Sequence, residues 1–207
     1  DCAIDCILER PVHNGQMARP LEFDRTTATQ SALLLFWSKG YQATSLADLV
    51  AAMGISRSSL YAAYGDKRGV FLECLDLFAA RSIAILTEAR TRQPPLTALR
   101  SFFLQPISEE AGERWAWGCM LVNTVLELAG VDDALCAHAR RRLAEVEAAF
   151  EACLSDTGCG AAKAAELSAF LMVVNEGLRV SSRRALPQPV HRAQIETTFR
   201  LLESTIA

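Results

Sequence analysis

Apolar residues along this chain recur at intervals of three and four far more often than they alternate, which is the spacing of a helix face. The first clear stripe runs from about Asp24 to Lys39, with Ala28, Ala32, Leu35 and Phe36 on its inner side. Asp24 stands where a helix cap belongs and Gly40 follows the end. A second stripe, Leu46, Leu49, Val50 and Met53, starts behind Thr44 and Ser45, and Ser45 with Asp48 has the spacing of a capping box. Gly54 stops that helix. Ser56 caps a short third one, with Ile55 and Leu60 placed around the cap as a hydrophobic staple. Gly65 and Asp66 open a long helix through Phe71, Leu75, Phe78 and Ser82 to about Arg90, ended by Gln93-Pro94-Pro95. Further helices are expected at about 96–105, 114–129, 132–155, 162–184 and 189–205, with breaks at Pro106, Gly130, the Thr157-Gly158-Cys159-Gly160 run and Pro187-Gln188-Pro189. The pattern predicts an all-α fold of about nine helices.

Residues 1–23 carry no such periodicity, since His13, Asn14, Gly15 and Pro20 interrupt it; they read as a disordered extension, and Met17 is a candidate start of the native chain. Acids at Asp1, Asp5 and Glu9 stand where a signal peptide needs bases, and no apolar run is long enough to span a bilayer, so a cytoplasmic protein without membrane contact is expected. With 207 residues, 51% of them hydrophobic and 22% charged, the composition is that of an ordinary globular chain.

The net charge of −3 does not by itself point to nucleic acid. Its distribution does more: from Met17 to Gly69 six basic residues outnumber four acidic ones, a segment charge of +2 that leaves −5 on the rest. Seven cysteines, an odd count in a cytoplasmic chain, argue against a disulfide framework and for small buried apolar residues. Cys2, Cys6 and His13 are the nearest approach to a metal cluster, Cys136 and His138 are too close to share a helix face, and Cys153 and Cys159 straddle a helix end. No metal site and no cofactor is expected.

The informative stretch is Gly40 to Phe71, GYQATSLADLVAAMGISRSSLYAAYGDKRGVF. Two short helices joined by Met53-Gly54-Ile55-Ser56 have the local chemistry of a helix-turn-helix, whose second helix enters the major groove of DNA. A capped helical hairpin without DNA would share the turn. The second helix, however, is polar where it would meet bases: Arg57, Ser58 and Ser59 fill its first turn, and arginine and serine are groups that read base edges. Tyr61, Tyr64 and Lys67 follow at spacings of three, suited to phosphate oxygens. Ser56 at the cap and Thr44 at the preceding helix start offer hydroxyls and free amides to phosphates as well.

This string resembles the DNA-binding domain of the TetR family of repressors. The residues that carry the likeness are Lys39-Gly40-Tyr41, then Thr44, Ser45 and Leu49, then Ala51, Gly54, Ile55 and Ser56, then Leu60, Tyr61, Tyr64, Lys67 and Val70. Tyr64 stands where the family usually has Phe, and Met53 where Ala is frequent. The resemblance implies a three-helix, homeodomain-like DNA-binding domain over 24–70 and a helical ligand-binding and dimerisation domain over 71–207. It also implies a homodimer on palindromic double-stranded operator DNA, a small-molecule effector that releases it, and no enzymatic activity. Gly118-Cys119-Met120-Leu121-Val122-Asn123-Thr124 with Glu127 looks like the helix start of one subgroup of the family.

In the second domain, Phe78, Phe103, Trp117, Cys119, Met120, Asn123, Met172 and Glu176 are the candidate pocket residues, with Asn123 as polar anchor; ordinary core packing would give the same pattern. Cys119, at an expected helix N-terminus, is a candidate for a lowered thiol pKa and electrophile sensing, against the alternative of a buried inert thiol. A cysteine-dependent redox protein on a helical scaffold is the competing functional class. The apolar helix near 162–184, with Ile195, Phe199 and Leu202 as a matching stripe on the last helix, is the expected dimer interface.

Overall fold

The computed structural model describes residues 23–184 and 186–206, the side chains of 109–111 excepted. The expectation of a disordered 1–23, and the Cys2, Cys6 and His13 cluster, lie outside them apart from Phe23. Among the described residues there are nine α-helices and no strand. They are α1 (Arg25–Lys39), α2 (Leu46–Met53), α3 (Arg57–Tyr64), α4 (Lys67–Arg92), α5 (Pro95–Leu104), α6 (Met120–Leu128), α7 (Asp133–Ser155), α8 (Ala161–Ser182) and α9 (Gln188–Ile206). Two 3-10 segments, Gln105–Ile107 and Glu109–Trp117, bridge α5 to α6.

Local signals set the first four helices. The Asp24 carboxylate accepts from Thr26 N at 2.9 Å. Ser45 and Asp48 form the full capping box, at 3.1 and 2.8 Å. Ser56 accepts from Ser59 N at 3.0 Å and Asp66 from Gly69 N at 2.8 Å. Each such cap contributes roughly 1 kcal/mol. The inner face of α1 is Ala28, Thr29, Ala32, Leu33 and Phe36; Leu35 is only half-buried.

One element differs from its expected form. The helix expected over 114–129 begins only at Met120, and Trp115 and Trp117 belong to the irregular 3-10 stretch before it. Gly118 sits at φ 76°, ψ −145°, which no helix tolerates, so the chain turns there and restarts at Cys119.

Two apolar cores result. The first joins the three N-terminal helices to the start of α4, to α6 and to Leu135 and Ala139 of α7; Phe36 meets Phe71 edge-on at 4.8 Å within it. The second lies among α5, α7, α8 and α9 around Phe102, Phe103, Phe150 and Phe199, with neighbouring rings 5.3 to 5.9 Å apart. Ile195, Phe199 and Leu202 are buried in this second core. They hold α9 to its own chain and are not a stripe offered to a partner, because α9 packs on α5 and α8 through that face.

Candidate DNA-reading face and ligand cavity

Gly54 takes the left-handed conformation, φ 66° and ψ 29°, and reverses the chain between α2 and α3. Ile55 and Leu60 are buried on either side of the Ser56 cap, which fixes how α3 leaves the turn. Arg57 and Ser58 are exposed, Tyr61 is 49% exposed and Ser59 half so. Arg57 makes no hydrogen bond or ion pair among the described residues. The Ser56 hydroxyl lies 2.8 Å from both the Ser58 and Ser59 hydroxyls.

Two expected DNA contacts fail on geometry. Thr44 is fully buried and its hydroxyl donates to the Gly40 carbonyl at 2.6 Å, so it has no proton for a phosphate. Tyr64 is also buried; its hydroxyl lies 2.9 Å from that of Thr29 and donates to the Arg25 carbonyl at 3.3 Å, with the Arg25 guanidinium over its ring. Burial raises its pKa. Tyr64 is a strut from α3 to α1. Lys67, half-buried, holds its ammonium 4.3 Å from the centre of the Tyr41 ring.

The connection from α3 to α4 is tight. A Cβ on Gly69 would lie 1.9 Å from the Tyr64 carbonyl oxygen, closer than any real side chain comes. The loop from α1 to α2 is clamped from the other domain: the Glu127 carboxylate accepts from Tyr41 N at 3.0 Å and Gln42 N at 2.7 Å. The Trp37 indole donates to the Gly118 carbonyl at 3.2 Å, and Arg68 pairs with Asp132. Over this junction lies a crevice of about 340 Å³ lined by Gly40, Tyr41, Met120, Asn123 and Glu127 among others.

A second cavity, of about 280 Å³, opens between α1, α4, α7 and α8. Its apolar walls include Leu33, Leu34, Trp37, Phe78, Phe102 and Trp115. Its polar lining includes Gln30, Arg81, Arg114, Asn175 and Arg179. The Arg179 side chain donates to Asn175 Oδ1 at 3.3 Å and Arg81 to Gln30 at 2.8 Å. Burial lowers the Arg179 pKa.

The expected pocket residues divide. Phe78 and Cys119 line the cavity beside α1. Met120 and Asn123 line the junction crevice, where Asn123 donates to the Trp117 carbonyl at 2.8 Å. Phe103 borders a small gap of about 20 Å³ near His191. Trp117, Met172 and Glu176 line none of the three. Trp117 braces Trp37 edge-on at 5.5 Å, Met172 is core, and burial together with Glu147 pushes the Glu176 pKa up.

Cys119 stands at the N-terminus of α6 but is buried, and desolvation raises its thiol pKa despite the amides of Val122 and Leu121. The lowered thiol pKa expected at a helix start is therefore not what the site favours: removal from water outweighs the helix terminus. Burial raises the Cys74 thiol as well, and that of Cys153 to about 11. No group of three metal-ligating side chains occurs among the described residues. Sequence reasoning missed Arg81 and Arg179, which sit on different helices and carry no motif.

A capped helix-turn-helix with a polar, exposed second helix, joined to a helical body, is the architecture of a DNA-binding transcriptional regulator. Residues 29–74 match the bacterial regulatory proteins of the tetR family, and residues 95–194 match the C-terminal domain of LmrA/YxaF-like transcriptional regulators. The chain is 30% identical over 135 residues to YezE, an uncharacterized HTH-type transcriptional regulator of Bacillus subtilis, covering 65% of this chain and 70% of that one. It is 35% identical over 115 residues to the HTH-type transcriptional repressor ComR of Escherichia coli, covering 53% of each. The solved structure of the regulator CifR, a cysteine mutant complexed with 26bp double-strand operator DNA, superposes with a TM-score of 0.70 at 30% identity, covering 88% of this chain and 98% of that one. The chain belongs to the TetR family of transcriptional regulators. No helix among its described residues is long and apolar enough to cross a membrane.

Proposed function

We propose that the protein is a cytoplasmic, homodimeric repressor that holds a palindromic operator through two copies of α3 and lets go when a small molecule fills the cavity beside α1. One observation carries this: α1 belongs to the DNA-reading head, and its Gln30, Leu33, Leu34 and Trp37 also form a wall of the cavity. A ligand there would push on the head directly. It would also touch Gly118 and Cys119 at the start of α6, whose Glu127 grips the α1–α2 loop. A ligand that fits a displaced arrangement of α1 and α6 better than the present one shifts the population towards it, and heads set at the wrong spacing no longer meet successive major grooves.

Arg57, Ser58, Ser59 and Tyr61 are the base-reading and phosphate-contacting candidates that remain exposed or half-exposed, with Ser56 and Lys67 at the two helix starts. The operator-bound relative CifR and the repressor ComR support DNA binding and repression. For the dimer, the support is the exposure of Phe170, Val173 and Val180 on α8 and of Leu201 on α9.

A gel shift on DNA from upstream of the chain's own gene tests the proposal, together with sedimentation of the free protein. Wild type should sediment as a dimer and retard one fragment selectively. Arg57→Ala should lose about 1–3 kcal/mol of preference for that fragment over unrelated DNA, with helicity unchanged. Wild-type selectivity in Arg57→Ala would remove α3 as the reading helix, and a monomer at micromolar concentration would remove the two-headed mechanism.

A further inference from the structure

The cavity beside α1 has a lopsided electrostatic lining. Three arginines, Arg81, Arg114 and Arg179, contribute to it, and among the described residues no aspartate or glutamate does. Arg179 is half-buried and Arg81 exposed, and among the described residues neither makes an ion pair; each meets only a neutral amide oxygen, Asn175 or Gln30. Five other arginines show the alternative: Arg25, Arg68, Arg90, Arg100 and Arg142 each pair with a carboxylate on another helix or segment. Desolvation acting on the Arg179 guanidinium, with no carboxylate against it, is a cost that an incoming anion would offset.

The rest of the lining constrains the ligand's other end. Trp37, Phe78, Phe102 and Trp115 supply ring faces and edges, and Leu33, Leu34, Leu121 and Val146 close the floor. A cavity of about 280 Å³ is of a size for a small organic molecule. We propose that the cavity takes a small amphipathic organic anion, an aromatic or short aliphatic carboxylate, whose oxyanion is gripped by the Arg179 guanidinium while its apolar body lies against Trp37 and Phe78. The inference deepens the effector site of the proposed repressor and rests on that reading for its regulatory consequence, although not for binding itself. Arg81 at the exposed side adds to the positive potential that draws an anion in.

Three isosteric probes decide it: 3-phenylpropanoate, 3-phenylpropanamide and 3-phenylpropylamine, titrated calorimetrically into the full-length protein. The acid should bind at least about tenfold more tightly than the amide, the fold-change expected when one charge-assisted hydrogen-bonded pair replaces a neutral one. The amine should bind most weakly, and added salt should weaken the acid alone. Arg179→Gln should bring acid and amide within about twofold of each other, whereas Arg179→Lys should retain part of the preference, with circular dichroism reporting that each variant is folded. The proposal is overturned if the amide matches the acid in wild type, if no probe binds, or if a folded Arg179→Gln keeps the preference. Should that variant not fold, the wild-type acid-to-amide ratio decides alone. Operator retardation, measured separately, distinguishes the two failures: DNA bound with no anion preference sinks this inference only, and anion bound with no DNA sinks the repressor.

Discussion

The DNA-reading head and the helical body treat their polar groups in opposite ways. In the head, the caps are local: Asp24, Ser45, Asp48, Ser56 and Asp66 each bond a backbone amide two or three residues away. In the body, α7 has such a cap, Asp132 on Leu135 N, but α5, α6 and α8 begin without one. Some of its polar groups are left facing gaps or unpaired: Arg179 and Asn175 line the cavity, and His191 Nε2 and Arg100 Nε are buried with no hydrogen-bond partner among the described residues. The head is thus specified turn by turn and holds one shape. The body is specified more by long-range apolar contacts and keeps polar groups that a ligand could satisfy, as the proposed effector response requires.

The largest perturbation should come from the body's core. Phe199 is fully buried among Phe103, Phe102 and Phe150, and Phe199→Ala is expected to cost about 3–5 kcal/mol, read by thermal or urea unfolding. If the head is self-contained, the residual folded fraction should still retard DNA. Next is Gly69→Ala, where the new methyl must displace the Tyr64 carbonyl. About 1–3 kcal/mol is expected, with operator binding impaired more than probe binding, because the strain falls between α3 and α4. Ser45→Ala removes half of a capping box and should cost about 1 kcal/mol; a value near zero would mean that the head's local caps do not hold it.

The smallest effect is a pH dependence. Burial holds the pKa of His191 below its ordinary 6.5. A lowered folded value means that the unfolded chain takes up the proton first, so stability falls as pH drops through 6.5 and levels off below the folded pKa. His191→Gln should flatten that part of the stability–pH curve, and an unchanged slope in the variant would assign the acid sensitivity to another group.

The same contrast explains what could be read from the sequence. Caps, turns and the staple involve neighbours in the chain, so α1 to α4 and the exposure of Arg57 and Ser58 were legible within a residue or two. Thr44 and Tyr64 were misassigned because their partners, the Gly40 carbonyl and the distant Thr29 hydroxyl, emerge only when helices pack. Cys119 was placed rightly at a helix start but the direction of its thiol pKa was not legible, since burial, which raises it, is not a local property. The cavity was half-legible: Phe78 and Cys119 line it, while Arg81 and Arg179 come from helices far apart in the chain and meet only in three dimensions.

The double membership of α1 also limits modularity. Its Ala28, Ala32 and Phe36 pack into the core shared with α2 and α3, and its Gln30, Leu33, Leu34 and Trp37 finish the cavity wall. Under the proposed function, a chimera that grafts a foreign reading head onto this body at the α3–α4 junction would change the operator and, in the same cut, replace a wall of the proposed effector cavity. Whole-head exchange is then expected to yield proteins that bind new DNA but respond poorly to a cavity ligand, whereas substitutions confined to Arg57, Ser58 and Tyr61 would leave the cavity wall intact.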